Sequence, residues 1–304
     1  MTTRSYGRRS VDTSNEDKVF YPESGLTKGD LLDNYERAWP RMRADLADRP
    51  LVMQRFPDGI GAEGFFQKQV GEYFPGWIET VRVARASDDP QELVVCNAKA
   101  SLAYLVNQAC ITPHLWLSRM DRIDTPDQLV IDVDPPGRDF APVRAAAQRC
   151  RELLDEVGLF AVVKTTGSRG VHVTVPLRRV EGFDEVRDVA HRLAGVLARR
   201  HPEALTVEQR KNKRRGRVYL DVARNAYAQT VVAPYAVRAL PGAPIAAPIR
   251  WSELERPSLE AQSFRVENAR ARLGRADPWA GWRRRARTLR SARERLASIE
   301  RRES

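Results

Sequence analysis

Asp132 and Asp134 stand one residue apart at the end of an apolar run, Leu129-Val130-Ile131-Asp132-Val133-Asp134-Pro135-Pro136. Side chains alternate along an extended strand, so both carboxylates project from one face while Val130, Ile131 and Val133 can be buried around them. Carboxylates about 7 Å apart along a backbone can converge on two divalent cations about 4 Å apart, the arrangement that supports in-line attack at phosphorus. An Asp-x-Asp string alone is a weak signal, since roughly one or two arise by chance in a chain this long and most are solvated turns. A solvated turn does not need the apolar lead-in found here.

Two further elements bear chemistry. In Val171-His172-Val173-Thr174-Val175 the valines share one face, so His172 points with Thr174 toward a site or solvent. The preceding Thr166-Gly167-Ser168-Arg169-Gly170 turn offers backbone amides, hydroxyls and a guanidinium, a suitable cradle for a triphosphate, although such turns are usually only turns. Val218-Tyr219-Leu220-Asp221 closes another apolar strand with an acid. A third carboxylate would complete an oxygen ligand set for magnesium or manganese; its bland alternative is a strand-end aspartate capping a turn.

The elements that must position these groups are legible in outline. Thr27 caps a helix whose Asp30 closes a capping box, with Leu31, Leu32, Tyr35 and Trp39 facing the core. Strands are expected at 51–56, 93–96, 160–164, 171–175, 217–222 and 229–240, the last interrupted by Pro234. Helices are expected at 100–109, 141–157 with Gly158 as stop, and 183–200. No regular βαβ repeat emerges, so the fold class is α+β, or irregular α/β, with mixed and largely antiparallel sheets flanked by helices. Residues 1–10 read as a disordered start, 11–275 as the catalytic domain, divided at 115/116, and 276–304 as an Arg-rich tail or helix.

With 304 residues and 42% hydrophobic content the chain can bury a full core. Lys and Arg number 51 against 40 acids, giving +11, which attracts polyanions, nucleic acid first. Much of that charge sits in 210–217, which includes Lys211 and Arg214, and in 283–302. No apolar run approaches a membrane span and no signal-peptide core follows Met1, so a cytoplasmic, nucleoid-associated protein with no membrane partner is expected. Cys96, Cys110 and Cys150 lack paired spacing and read as buried thiols, with no zinc site.

Ile131-Asp132-Val133-Asp134-Pro135, then Thr166 to His172, then Tyr219-Leu220-Asp221 together resemble the three catalytic motifs of the archaeo-eukaryotic primase superfamily. More narrowly, the chain resembles the polymerase domain of the bacterial end-joining enzyme ligase D and its stand-alone relatives, over roughly residues 12–270. Asn15, Lys18 and Lys28 match that family's pocket for the 5′-phosphate of a DNA gap or end, and a lysine just inside a helix start suits such a phosphate. Phe65 and Phe66 match its paired aromatics, with at least one exposed to stack on an unpaired base, although paired phenylalanines are more often core. His114 and the 230–238 segment ending in Arg238 fit as well.

The resemblance implies template-directed nucleotidyl transfer that fills gaps and extends DNA ends in non-homologous end joining. Asp132, Asp134 and Asp221 would be catalytic metal ligands for two divalent cations, manganese preferred and magnesium possible. Thr166, Ser168, Arg169, His172, His114 and Arg238 would bind an NTP or dNTP, and Arg55, Phe65, Phe66, Lys211 and Arg214 would touch DNA or template. Thr166 and Arg169 stand where relatives often have Ser and Lys. No Lys-x-Asp-Gly ligase motif occurs, since Phe56-Pro57-Asp58-Gly59 lacks the lysine, so a separate ligase and a Ku-type end-binding protein are expected partners. The competing readings are a catalytically silent DNA-end-binding protein and a metal-dependent nuclease or glycosyltransferase.

Overall fold

The computed structural model describes residues 1–84 and 90–303. Two compact units share the chain in alternating segments. Met1–Asp121, Thr230–Ala247 and Phe264–Asp277 build the first; Arg122–Gln229, Pro248–Ser263 and the stretch from Pro278 onward build the second. The division expected at 115/116 falls near the first crossing, but the chain then returns twice to the first unit. Strand pairing accounts for one return: Thr230–Val232 lies antiparallel beside Cys110–Trp116, with Val232 opposite His114. Only those three residues of the expected 229–240 strand are extended, since Pro234 and Tyr235, at φ +62°, turn the chain away.

Among the described residues, the first unit is built on a mixed-length sheet in the order Thr230–Val232, Cys110–Trp116, Pro50–Arg55, Gln91–Val95, Thr80–Val83, with Phe65–Gln67 also paired to Pro50–Arg55. The helix Lys28–Leu46 starts at Thr27, whose hydroxyl accepts from the Asp30 N–H at 3.2 Å while the Asp30 carboxylate accepts from the Thr27 N–H at 2.8 Å. Its buried stripe runs through Leu31, Leu32, Tyr35, Ala38 and Met42; Trp39, expected in the core, is half-buried because the stripe passes through Ala38 instead. Tyr35 donates its hydroxyl to the Ile111 carbonyl at 2.5 Å and accepts from the Val237 N–H at 2.9 Å, joining helix, sheet and a returning segment.

The start of the chain is a hairpin, which corrects the expected disorder. Thr2–Tyr6 pairs antiparallel with Arg9–Thr13 around Gly7, at φ +66°. Arg4 donates to Glu16 and Asp33 at 2.6 Å and to Glu36 at 2.8 Å. A guanidinium in the segment expected to be disordered is thus paired with acids 12 to 32 residues away.

In the second unit the sheet order is Leu205–Thr206, Val218–Asp221, Gln128–Asp134, Val171–Pro176, Val162–Thr165, Pro248–Ile249, antiparallel throughout except the first pair. Ile131 opposes Val173 and Val133 opposes both Val171 and Leu220, which makes one apolar face. Two amphipathic helices supply apolar stripes for it: Val143, Ala146, Ala147 and Cys150 from Ala141–Glu156, and Val186, Val189, Ala190 and Leu193 from Phe183–Arg200. Gly158, at φ +79°, ends the first of them as expected.

Residues 278–303 are an integral part of this unit, not a solvated tail. The Trp279 indole donates to the Val163 carbonyl at 3.0 Å, and Trp279, Trp282 and Val162 form a buried cluster with Phe160 against it. The helix Arg290–Arg302 buries Ala292, Leu296 and Ile299, and its Glu300 takes Arg192 at 2.7 Å. The three cysteines are free and buried, and burial pushes the thiols of Cys110 and Cys150 up to about 12. No helix among the described residues is long and apolar enough to cross a membrane.

Part-exposed ion pairs contribute little, whereas a buried Trp replaced by Ala typically costs about 3–5 kcal/mol. Trp279→Ala is therefore expected to lower the stability of the protein by that amount in urea unfolding followed by circular dichroism. An unchanged midpoint would mean that the Trp cluster does not hold the C-terminal segment.

Candidate active site

Strand register explains the site. Asp132 lies opposite His172 on one side and Asp221 on the other, and His172 in turn lies opposite Lys164. Directly opposed residues share a face, so Asp221, Asp132, His172 and Lys164 form one row across four adjacent strands. Asp134, two residues along from Asp132, joins the same face and lies opposite Tyr219. The His172 Nε2 is 3.5 Å from Asp132 Oδ2, and both His172 and Lys164 are buried. One carboxylate oxygen from each of Asp132, Asp134 and Asp221 lies within 4.8 Å of the others.

That donor set fits a hard divalent cation. It is all oxygen, and Asp132 Oδ1 is buried without a hydrogen-bond partner among the described residues. Burial works against charge on Asp132, but His172, Arg224 and Lys164 outweigh it and hold this carboxyl below the ordinary range. Asp134 goes the other way: burial and then the neighbouring Asp132 push it up to about 6, against the pull of Arg169 and Arg214. One strand thus carries two carboxylates of opposite protonation tendency.

The turn from Thr166 to Gly170 is organised by its first residue. The Thr166 hydroxyl accepts from the N–H groups of Ser168 and Gly170, both at 3.2 Å, and donates to the Gly170 carbonyl at 3.1 Å. Thr166 is buried by this role, so it shapes the turn that presents half-buried Ser168 and exposed Arg169. Gly170 has a steric reason: a Cβ there would lie 2.0 Å from the Val133 carbonyl oxygen, so only glycine lets the turn approach the carboxylate strand. Beside the turn, Gly137, Arg138, Phe140, Ser168, Arg169 and Gln262 contribute to the lining of a cleft of about 440 Å³.

Lys211 lies in an exposed 3-10 turn, Lys211–Lys213. Arg214 donates to the Glu208 and Gln209 carbonyls and covers the Tyr219 ring at 3.9 Å, which brings it to the carboxylates and holds the loop that precedes Asp221.

The remaining candidates belong to the first unit. The backbone draws Asn15, Lys18 and Lys28 together: the Lys18 N–H donates to Asn15 and the Lys28 N–H to Lys18, at 3.1 and 2.9 Å. The expected open helix start is absent, because the amides of Lys28, Gly29 and Asp30 donate to Lys18, Glu16 and Thr27. What the three residues offer an anion is side chains: Lys18 is paired with exposed Asp58 at 2.7 Å, and buried Lys28 donates to the Ser14 carbonyl at 2.6 Å. Burial pulls the Lys28 ammonium below its ordinary range. Phe65 and Phe66 are both exposed, with Arg55 5.4 Å from the Phe65 ring centre and His114 edge-on to Phe66 at 5.3 Å. Arg238 gives its carbonyl to the Tyr21 hydroxyl at 2.9 Å.

Sequence reasoning missed three contributors. Lys164 was a single cation in an apolar strand, and only pairing reveals which face it takes. Asn225 is fully buried and grips Val130, accepting from its N–H at 2.8 Å and donating to its carbonyl at 2.7 Å, which braces the carboxylate strand beyond Asp221. Arg224 lies 3.9 Å from Asp221; its i, i+3 spacing was a readable signal.

The model of the LigD primase-polymerase domain matches residues 27–279. The chain is 34% identical over 278 residues to the multifunctional non-homologous end joining protein LigD of Pseudomonas aeruginosa, covering 90% of this chain and 33% of that protein. It is 31% identical to LigD of Mycobacterium tuberculosis over 86% of this chain and 35% of the relative. It therefore spans about a third of the length of these relatives. The polymerase domain of Mycobacterium tuberculosis ligase D, solved in complex with DNA, superimposes with a TM-score of 0.85 at 29% identity, covering 91% of this chain and 99% of that one.

With its carboxyl pushed up to about 6, Asp134 would have to release a proton to take a cation. Affinity for Mn²⁺ is thus expected to climb about tenfold per unit as pH rises toward 6 and to level off above it. Calorimetric titration from acidic to neutral pH would measure this, and a flat profile through pH 6 would remove Asp134 from the cation-binding set.

Proposed function

The chain belongs to the LigD primase-polymerase domain family, and from that premise we propose that it is a template-directed nucleotidyltransferase that fills gaps and extends DNA ends during non-homologous end joining. The observation that carries the proposal is the convergence of Asp132, Asp134 and Asp221 on one face of the sheet, beside a glycine-bounded turn. A protein that only bound DNA ends would gain nothing from three mutually repelling carboxylates held together in a sheet.

Asp132 and Asp134 would hold two divalent cations and Asp221 mainly one of them, and the oxygen donors suit manganese or magnesium. When bound, such cations acidify the primer 3′-hydroxyl and offset charge on the leaving pyrophosphate. The chain's own residues position the reactants. The side chains of Ser168 and Arg169 would hold the triphosphate and His172 would keep Asp132 ionised and oriented; for His114 and Arg238, in the first unit, the family resemblance implies nucleotide contacts. Preference for manganese and use of ribonucleotides beside deoxyribonucleotides follow from the family resemblance.

On the DNA side, Asn15, Lys18 and Lys28 would receive a 5′-phosphate, whose additional charge distinguishes an end from an internal linkage. Arg55, Phe65 and Phe66 would meet the template at its distortion, and Lys211 and Arg214 would add charge near the active site. A DNA ligase and a Ku-type end-binding protein would act beside it, on nucleoid DNA in the cytoplasm.

Primer extension on a 5′-phosphorylated gapped duplex with Mn²⁺ and ribonucleotides is expected to give templated incorporation, abolished by Asp132→Ala with Asp134→Ala. No incorporation by the unaltered protein would refute the polymerase reading, and shortening of the strand would mark a nuclease. Lys18→Ala with Lys28→Ala is expected to lower the preference for 5′-phosphate over 5′-hydroxyl ends about tenfold, the loss of a charge-assisted hydrogen bond. Fluorescence anisotropy with the two ends measures it; an unchanged preference would move the phosphate site elsewhere.

A further inference from the structure

The loop after Phe65–Gln67 bears an aromatic ring that the proposed chemistry does not use. Tyr73 is 57% exposed, more than Phe65 at 48% or Phe66 at 54%. It is tied to them through one guanidinium. Arg55 donates Nε to the Gln108 carbonyl at 2.6 Å and Nη1 to the Tyr73 hydroxyl at 2.6 Å and to Gln67 Oε1, while its plane lies by the Phe65 ring. Arg55 is therefore fixed at its base by the main chain and spans from Phe65 to Tyr73.

A half-buried aromatic layer supports Tyr73. Its ring meets Phe74 at 5.0 Å, Phe74 meets Tyr104 edge-on at 5.2 Å, and Tyr104 meets Trp77 at 5.8 Å. At the far end the guanidinium of exposed Arg9 lies 5.1 Å from the Trp77 ring centre. Exposed Lys68 follows the Phe pair. The result is three exposed rings held in place from behind and edged by cations, in a chain of net charge +11.

Such a surface suits one occupant. Exposed π faces interleaved with guanidinium groups bind unpaired bases by stacking and the backbone by charge, with little regard for sequence. A duplex hides its base faces and would leave the rings unused, and the cations disfavour a basic protein partner. We infer that Tyr73 extends the Phe65–Phe66 platform into a track for single-stranded DNA, the unpaired tail beside a duplex, with Arg55 fixing the spacing between rings. The inference rests on the proposed function only in taking DNA as the polymer.

The test compares a 5′-phosphorylated duplex carrying an oligo-dT tail of about six nucleotides with the same duplex lacking the tail, by fluorescence anisotropy at fixed salt without nucleotide or metal. The tail is expected to tighten binding by the unaltered protein. Tyr73→Ala is expected to remove about tenfold of that gain, and Tyr73→Phe, which keeps the ring and loses only the hydrogen bond from Arg55, to retain most of it. Three results would overturn the track: no gain from the tail, a full gain with Tyr73→Ala, or an equal loss with Tyr73→Phe. Binding is read without catalysis, so the two readings fail separately. Absent primer extension with an intact tail effect sinks the polymerase reading alone, and normal extension without a tail effect sinks the track alone.

Discussion

Mutual repulsion among three carboxylates is the constraint around which the second unit is arranged. Two unit charges no more than 4.8 Å apart repel by at least about 3 kcal/mol at an effective dielectric of about 20, a large fraction of the stability of an ordinary domain. Like charges directly opposed across strands, as Asp132 and Asp221 are, add to the penalty. The sheet answers it by continuing the same row with His172 and Lys164. His172 and Lys164 favour the ionised form of Asp132, and Asp134 takes up the remainder by favouring its protonated form.

That arrangement needs strands in fixed register, and the neighbouring parts hold the register. Slipping the Gln128–Asp134 strand by one residue would turn every carboxylate into the apolar layer. Asn225 holds Val130 by both backbone groups, and the valine face is covered by helices whose stripes are built largely from small and branched residues. On the open side, Gly170 lets the turn approach Val133 more closely than any side chain would allow. Thr166 stands at a turn-shaping position, where its hydroxyl organises the backbone.

Local periodicity made much of this readable. Alternation placed Asp132 with Asp134 and His172 away from the valines, the capping box at Thr27 started a helix where one begins, and the ends of the helix Phe183–Arg200 were legible. What escaped depends on partners distant in sequence. Arg4 looks solvated until Glu16, Asp33 and Glu36 meet it, and Lys164 looks like a strand-end charge until its pairing with His172 is known. The arginine-rich end looks like a polyanion-binding arm because composition shows its charges, whereas Trp279 and Trp282, which bury it, lie just before the charged run. The helix start near Lys28 misled for the converse reason: its amides are satisfied by carbonyls at positions 16 and 18 that no capping rule anticipates.

The alternating ownership of the chain has a consequence for biosynthesis. The first unit gains an edge strand only with residues 230–232 and its last segment only with Phe264–Asp277, while the second unit waits for the tryptophans beyond. On a ribosome, which emits the chain from its amino end, neither unit can be finished before residues up to about 277 have emerged. The long-range pairings also make the search for the native topology slower than in a protein of local contacts. Nascent chains truncated before about residue 278 would lack the tryptophan wall over Val162 and Val163, so the two halves reach completion within a few tens of residues of each other.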